Sequence, residues 1–198
     1  MFKKVLFFFY FFTNVIHCKF NRVDIDLDNP LIKSADKVIL NNFEMQYGKG
    51  INTQILAIYI QTQEDPAIEF IFTGYDTNSK EIDIYDYILS INKQNQQDYS
   101  IGNFEVRESQ KIQNKIKMSI HNKTFRLIYS KIASWTKRNN YNFKYLEKIE
   151  FYSKVSQIKD MNVYIVLGSS LDNNIPIYYV LTEDQYNINK FNVENIIY

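Results

Sequence analysis

Three carboxylates at alternate positions, Asp24, Asp26 and Asp28 in the stretch VDIDLDNP, are the first residues whose spacing invites a chemical reading. Alternation puts all three on one edge of an extended strand, where they can hold a cation or supply an acid and a base. The calcium-loop pattern needs Gly at its sixth position and Glu at its twelfth. Counted from Asp24, those positions hold Asn29 and Ala35, so the motif fails. The simpler reading is the polar face of an N-terminal strand ended by Asn29-Pro30. A carboxylate-dependent hydrolase needs two carboxyl groups about 5–10 Å apart across a cleft, and Asp24, Asp26, Asp83 and Asp86 are the clusters that invite that comparison.

Other catalytic systems fail on residue type. Gly168-Ser169-Ser170 lacks the G-x-S-x-G frame of a nucleophile elbow. Asp76-Thr77-Asn78 departs from the Asp-Thr-Gly of aspartic proteases, and Gly48-Lys49-Gly50 is too short for a phosphate loop and reads as a turn. The imidazoles are His17 and His121, and the single thiol is Cys18. We therefore assign no catalytic residue, no metal ligand and no cofactor from the sequence.

Charge is more informative. From Val23 to Val106 the chain carries 14 acidic and 5 basic residues, and from Arg107 to Arg138 it carries 9 basic and 1 acidic. Within the second stretch Lys115, Lys117, Lys123, Arg126, Lys131 and Trp135 form a candidate contact surface for anionic ligands, with Phe125 and Tyr129 interleaved. Sulfated glycans, lipid headgroups and host or surface proteins are the partners such a patch suits. Nucleic acid fits least, because no RNA-recognition signature accompanies it. The competing reading is a solvated face that answers the acidic half of the same fold, with lysines guarding an exposed strand and Trp135 as a core or edge residue. Asn122-Lys123-Thr124 matches the N-glycosylation acceptor.

That acceptor matters only in the secretory pathway, to which the start of the chain points. Lys3 and Lys4 precede an unbroken apolar run, Val5–Phe12, which Thr13 and Asn14 end. This is the layout of a signal peptide, with cleavage expected after Cys18. The run is shorter than the roughly 20 residues a spanning helix needs; an uncleaved N-terminal anchor is the alternative. Removal of residues 1–18 leaves a Cys-free chain with His121 as its one imidazole.

The Phe-rich opening followed by VDIDLDNP (Val23–Pro30) resembles secreted piroplasm-parasite proteins of the FAINT-repeat type. The resemblance covers about a tenth of the chain. The Val-x-x-Gly-x-x-x-Ile-Trp core of that family is not evident, and Trp135 after Ile132-Ala133-Ser134 matches it poorly. The resemblance implies an exported protein with a small β-rich fold and transfers no catalytic residue.

The elements that must position these residues read as short and mostly extended. Ile, Tyr and Phe number 28, 16 and 15, against 5 Gly and 3 Pro, a composition suited to pleated, half-buried surfaces. Strands are expected at Phe20–Leu27, Val38–Tyr47, Gln54–Ile60, Ala67–Thr73, Ile82–Leu89, Ser100–Glu108, Asn162–Leu167 and Ile175–Leu181. Ile112–Ile120 and Thr124–Ile132 are expected to pair as a hairpin about His121–Lys123. Tyr145–Val155 fits either period. Short helices are expected within Ala133–Asn142 and from Thr182. The fold class is all-β or β-rich α+β: an antiparallel sandwich or curved sheet with one or two short helices, in a single domain over residues 19–198. FIFTGYDTNSKEIDIYDYIL (Phe70–Leu89) and YIVLGSSLDNNIPIYYVL (Tyr164–Leu181) echo each other, which suggests either a weak internal duplication or two similar hairpins. The functional expectation is a secreted, non-catalytic binding protein; a carboxylate hydrolase and a surface-coat component are the alternatives.

Overall fold

Among the described residues, an asparagine starts each of the two helices. The side chain of Asn29 accepts a hydrogen bond from the Leu31 N–H at 3.0 Å, and that of Asn122 accepts one from the Thr124 N–H at 2.8 Å. Each satisfies one of the backbone donors that a helix leaves unpaired at its start. Pro30 then occupies the first helical turn, where its missing N–H costs nothing. The computed structural model describes residues 21–23, 28–61, 65–76, 78–91, 104–139, 143–157, 161–170, 176–184 and 191–196. In chain order these form β1 (Asn21–Val23), α1 (Pro30–Tyr47), β2 (Ile51–Gln61), β3 (Ala67–Asp76), β4 (Glu81–Ile91) and β5 (Phe104–Lys111). They continue with β6 (Lys115–Lys117), α2 (Lys123–Arg138), β7 (Phe143–Tyr152), β8 (Met161–Ser170), β9 (Pro176–Asp184) and β10 (Phe191–Ile196).

The protein is a β-rich α+β fold. Its strands form two five-stranded antiparallel sheets, ordered β1-β2-β3-β4-β5 and β10-β9-β8-β7-β6. Along β3, Ile68, Phe70 and Phe72 face α1, while Ile71 packs with the opposite sheet, as the period of two requires. Leu56, Ala57, Ile71, Ile82 and Ile84 of the first sheet share one buried cluster with Tyr152, Val163, Ile165 and Val180 of the second. Phe125, Ile128 and Ile132 of α2 pack on Ile149, Val166 and Tyr179 of the second sheet. The result is four layers: helix, sheet, sheet, helix. Every layer buries one apolar face, and both sheets bury two.

The two halves repeat the same order: strand, helix, then a four-strand meander. Counted from the capping asparagine, the buried residues of α1 (Ile32, Ala35, Ile39, Phe43) and of α2 (Phe125, Ile128, Ile132, Thr136) occupy identical positions. The sequence echo falls on equivalent hairpins, β3–β4 and β8–β9. Gly74 and Gly168 are each the eighth residue of a ten-residue strand. Gly74 is needed for space. A Cβ there would lie 2.8 Å from the Tyr85 ring and 3.3 Å from Phe43 of α1.

Several expectations are corrected. Residues 124–132 are the body of α2, not the second strand of a hairpin, and only Lys115–Lys117 of the first strand is extended. Phe125, Leu127 and Tyr129 alternate, but Leu127 and Tyr129 are exposed; the buried set follows the helical period. Val38–Tyr47 likewise belongs to α1, joined to β2 through Gly48 and Gly50, whose φ of 88° and 98° glycine adopts without strain. The helix expected from Thr182 is instead the end of β9, and the helices are 18 and 16 residues long rather than short. Asp24, Asp26 and the N-terminal apolar run lie outside the described residues.

Candidate functional site

Helix α2 presents its sheet-facing side through Phe125, Ile128, Ile132 and the half-buried Trp135, whose ring meets Tyr179 edge-on at 6.1 Å. Trp135 therefore packs on the second sheet. The opposite side of α2 carries Lys123, Arg126, Lys137 and Arg138, all exposed, with Lys131 half-buried at the flank. The helix contains five cations and no carboxylate. Among the described residues, Lys117, Lys123, Arg126, Lys131 and Lys137 enter no ion pair. Lys137 and Arg138 sit in the last turn, where the helix dipole favours positive charge, but Lys123 in the first turn does not gain from it.

The topologically equivalent helix is a control for what the fold itself demands. On α1 the charged residues are Lys33, Lys37, Asp36 and Glu44, which cancel. Aligned on the capping asparagines, Lys123 corresponds to Pro30 and Lys137 to Glu44. Covering a sheet in this fold does not require a basic helix.

Next to the start of α2 lies a groove of about 280 Å³. Ile116, Met118, Phe151 and Tyr164 form its apolar walls, with Lys117 and Asn122 at the rim. Asn122 thus stands at the start of the basic helix and lines the groove. Its Oδ1 is engaged as the helix cap, and its side chain is otherwise exposed.

Lys115, expected on the same surface, is committed elsewhere. Its Nζ lies 3.5 Å from Glu150, 3.9 Å from Glu81 and 3.9 Å from Asp83. Lys111 pairs with Asp83 at 2.7 Å, and Lys148 pairs with Glu150. Three ammonium groups thus meet three carboxylates across the ends of the two sheets. A cleft of about 200 Å³ opens beside them, flanked by Lys80 and Tyr178. Matched charge at a partly exposed site of this kind contributes little net energy; it sets how the sheets align.

A second carboxylate arrangement includes Asp86, one of the expected candidates, with a partner, Glu69, that was not anticipated. Glu69 of β3 and Asp86 of β4 are both fully buried on the inner face of the first sheet, close enough for their carboxyls to hydrogen-bond. Ser156 Oγ donates to Glu69 at 2.8 Å and the Gln157 N–H at 2.9 Å, while Gln110 Nε2 donates to Asp86 at 3.0 Å. Among the described residues no donor is fixed on Asp86 Oδ1, so a proton carried by Glu69 completes the pair. Burial first, and for Glu69 the neighbouring Asp86 charge second, push both carboxyls above the usual carboxylate range. The pair is sealed from solvent, so in this form it meets no dissolved substrate. One acidic residue inside an otherwise apolar run, in Ala67–Phe72 and again in Ile84–Ile88, was the available sequence sign.

Among the described residues, no group of three His, Cys, Asp or Glu side chains is arranged to hold a metal ion, and no helix is long and apolar enough to cross a membrane. Neither a comparison with models of known protein families nor a search of curated proteins finds a match for this chain.

Proposed function

We propose that the chain is a secreted, non-catalytic binding protein that engages anionic ligands through the outward face of α2 and the adjoining strand β6. One observation carries the reading: of two helices that do the same structural work, one is neutral and the other holds five cations without a carboxylate. Uncompensated charge of one sign on one face raises the local concentration of an oppositely charged partner. The ion cluster at Lys115 meets the fold's own needs, so the acidic half does not consume the cations of α2. The export tag expected at residues 1–18 and the likeness to exported FAINT-repeat proteins fit a protein that works outside the cell.

Retention on heparin tests the proposal. We expect the wild-type chain to be retained, and Lys117→Glu, Lys123→Glu and Arg126→Glu together to elute without retention while keeping the wild-type far-UV spectrum. Lys115→Glu is the contrasting variant: it is expected to lower stability and leave retention of the folded fraction intact. Equal retention of the triple variant and the wild type would remove the α2 face as the contact surface.

A further inference from the structure

The charged face is not the only thing gathered around Asn122. The exposed large apolar side chains among the described residues are Met45, Tyr47, Ile116, Ile120, Leu127 and Tyr129. Four of the six fall between residues 116 and 129. Ile116 and Ile120 are the barest of these four, at 56% and 62% exposure. The same window contains Lys117, Lys123 and Arg126 and no acidic residue. Folding leaves these isoleucines in water, and Ile116 lines the groove together with the apolar Met118, Phe151 and Tyr164 and the polar Ser119, Asn122 and Thr124. A sulfated glycan or an acidic peptide would use the cations but would leave the isoleucines wet. A bilayer with anionic headgroups uses both, because apolar side chains enter the boundary between headgroups and acyl chains while lysine and arginine meet the phosphates.

We infer that the anionic ligand of this surface is a membrane: the segment from Ile116 to Tyr129 lies on an anionic bilayer, with Ile116 and Ile120 inserted and Lys123 and Arg126 at headgroup level. The inference rests on the reading of α2 as an anion-binding face and adds the class of ligand. It also sets two earlier expectations against each other. A sugar on Asn122 would stand next to Lys123 at the start of α2 and hold that end off the lipid, so glycosylated and membrane-bound chains are separate populations.

The experiment uses the full chain made without glycosylation, in three forms: wild type, the double variant Ile116→Ser with Ile120→Ser, and the triple Glu variant above. Each is measured by co-sedimentation with mixed phosphatidylserine–phosphatidylcholine vesicles, with pure phosphatidylcholine vesicles, and by heparin retention. Both isoleucines are exposed, so the serine variant is expected to fold as the wild type does, checked by its thermal midpoint. We expect the wild type to bind the phosphatidylserine vesicles and not the neutral ones. The serine variant should lose about tenfold or more in vesicle affinity, the scale of withdrawing two apolar side chains from lipid, with heparin retention unchanged. The triple Glu variant should lose both. Wild-type binding to heparin but not to vesicles, or vesicle binding by the serine variant equal to wild type, overturns the membrane inference and leaves the anion-binding reading standing. A wild type that binds neither removes both.

Discussion

Glu69 and Asp86 are buried side by side inside the protein, and this makes stability depend on pH in a stated direction. Both carboxyls hold protons in the fold at pH values where the unfolded chain has released them. Their contribution is therefore fully present below the ordinary values of 4.5 and 3.8 and is lost as pH rises through the elevated ones. The groups facing the pair do not reverse this. Ser156, Gln157 and Gln110 are neutral donors, and Glu108 adds a like charge. The urea midpoint of the wild type should thus fall from mildly acid pH through neutrality, with a slope of up to about 1.4 kcal/mol per pH unit for each proton released. Glu69→Gln, which mimics the protonated acid, should flatten that slope. An unchanged slope in the glutamine variant would show that the pair is not its source. Asn122 caps α2 and also stands in the sequence motif Asn122-Lys123-Thr124 expected to accept a sugar. Asn122→Ser keeps a capping hydroxyl and abolishes the acceptor, whereas Asn122→Ala loses both. The alanine variant should be about 1 kcal/mol less stable than the serine variant by chemical denaturation.

Among the elements, the helices are where the sequence was least legible. Strands β2, β3, β4, β8 and β9 were readable as short apolar, β-branched and aromatic runs bounded by turn residues, because both faces of each sheet are buried. Both helices were hidden by accidental alternation: Phe125, Leu127 and Tyr129 mimic a strand, and so does the run from Val38. The local signs that outweigh alternation were present. Asn29-Pro30 is a helix start, and Asn122 stands three residues before the first buried position of α2. The basic segment was legible as charge but not as a helix face, so the ion cluster of Lys115 and the packing of Trp135 on Tyr179 were not foreseen. The acid pair needs a tertiary contact between neighbouring strands and a loop from the other sheet, and no local pattern contains that. Two substitutions test the layers. Ile132→Ala, which empties a fully buried site beneath α2, should cost about 2–5 kcal/mol, while Leu127→Ala on the outer side of the same helix should change stability by less than about 0.5 kcal/mol. Gly74→Ala forces a methyl group into the Tyr85 ring and should cost about 1–3 kcal/mol. Equilibrium unfolding in urea measures all three.

At the scale of the molecule, the acidic residues concentrate in the half built on α1 and the unmatched cations on α2. A formal net charge of +1 for the whole sequence hides this polarity. Binding through α2 should accordingly weaken with added salt, since exposed charges are largely screened beyond about 10 Å at 0.1 M. Raising ionic strength several-fold should release the chain from heparin, while the isoleucine contribution makes release from vesicles less complete. The layered build has a geometric sequel. Stacked sheets lie about 10 Å apart, so α1 stands roughly 30 Å from α2 across the stack, on the far side of both sheets. A copy resting on lipid through α2 would turn Met45, Tyr47 and the acid-rich half toward the outside. Each neighbour would adopt the same attitude, so a carpet of such molecules would display one uniform exterior, built on the charge-balanced helix α1, without needing any contact between its members.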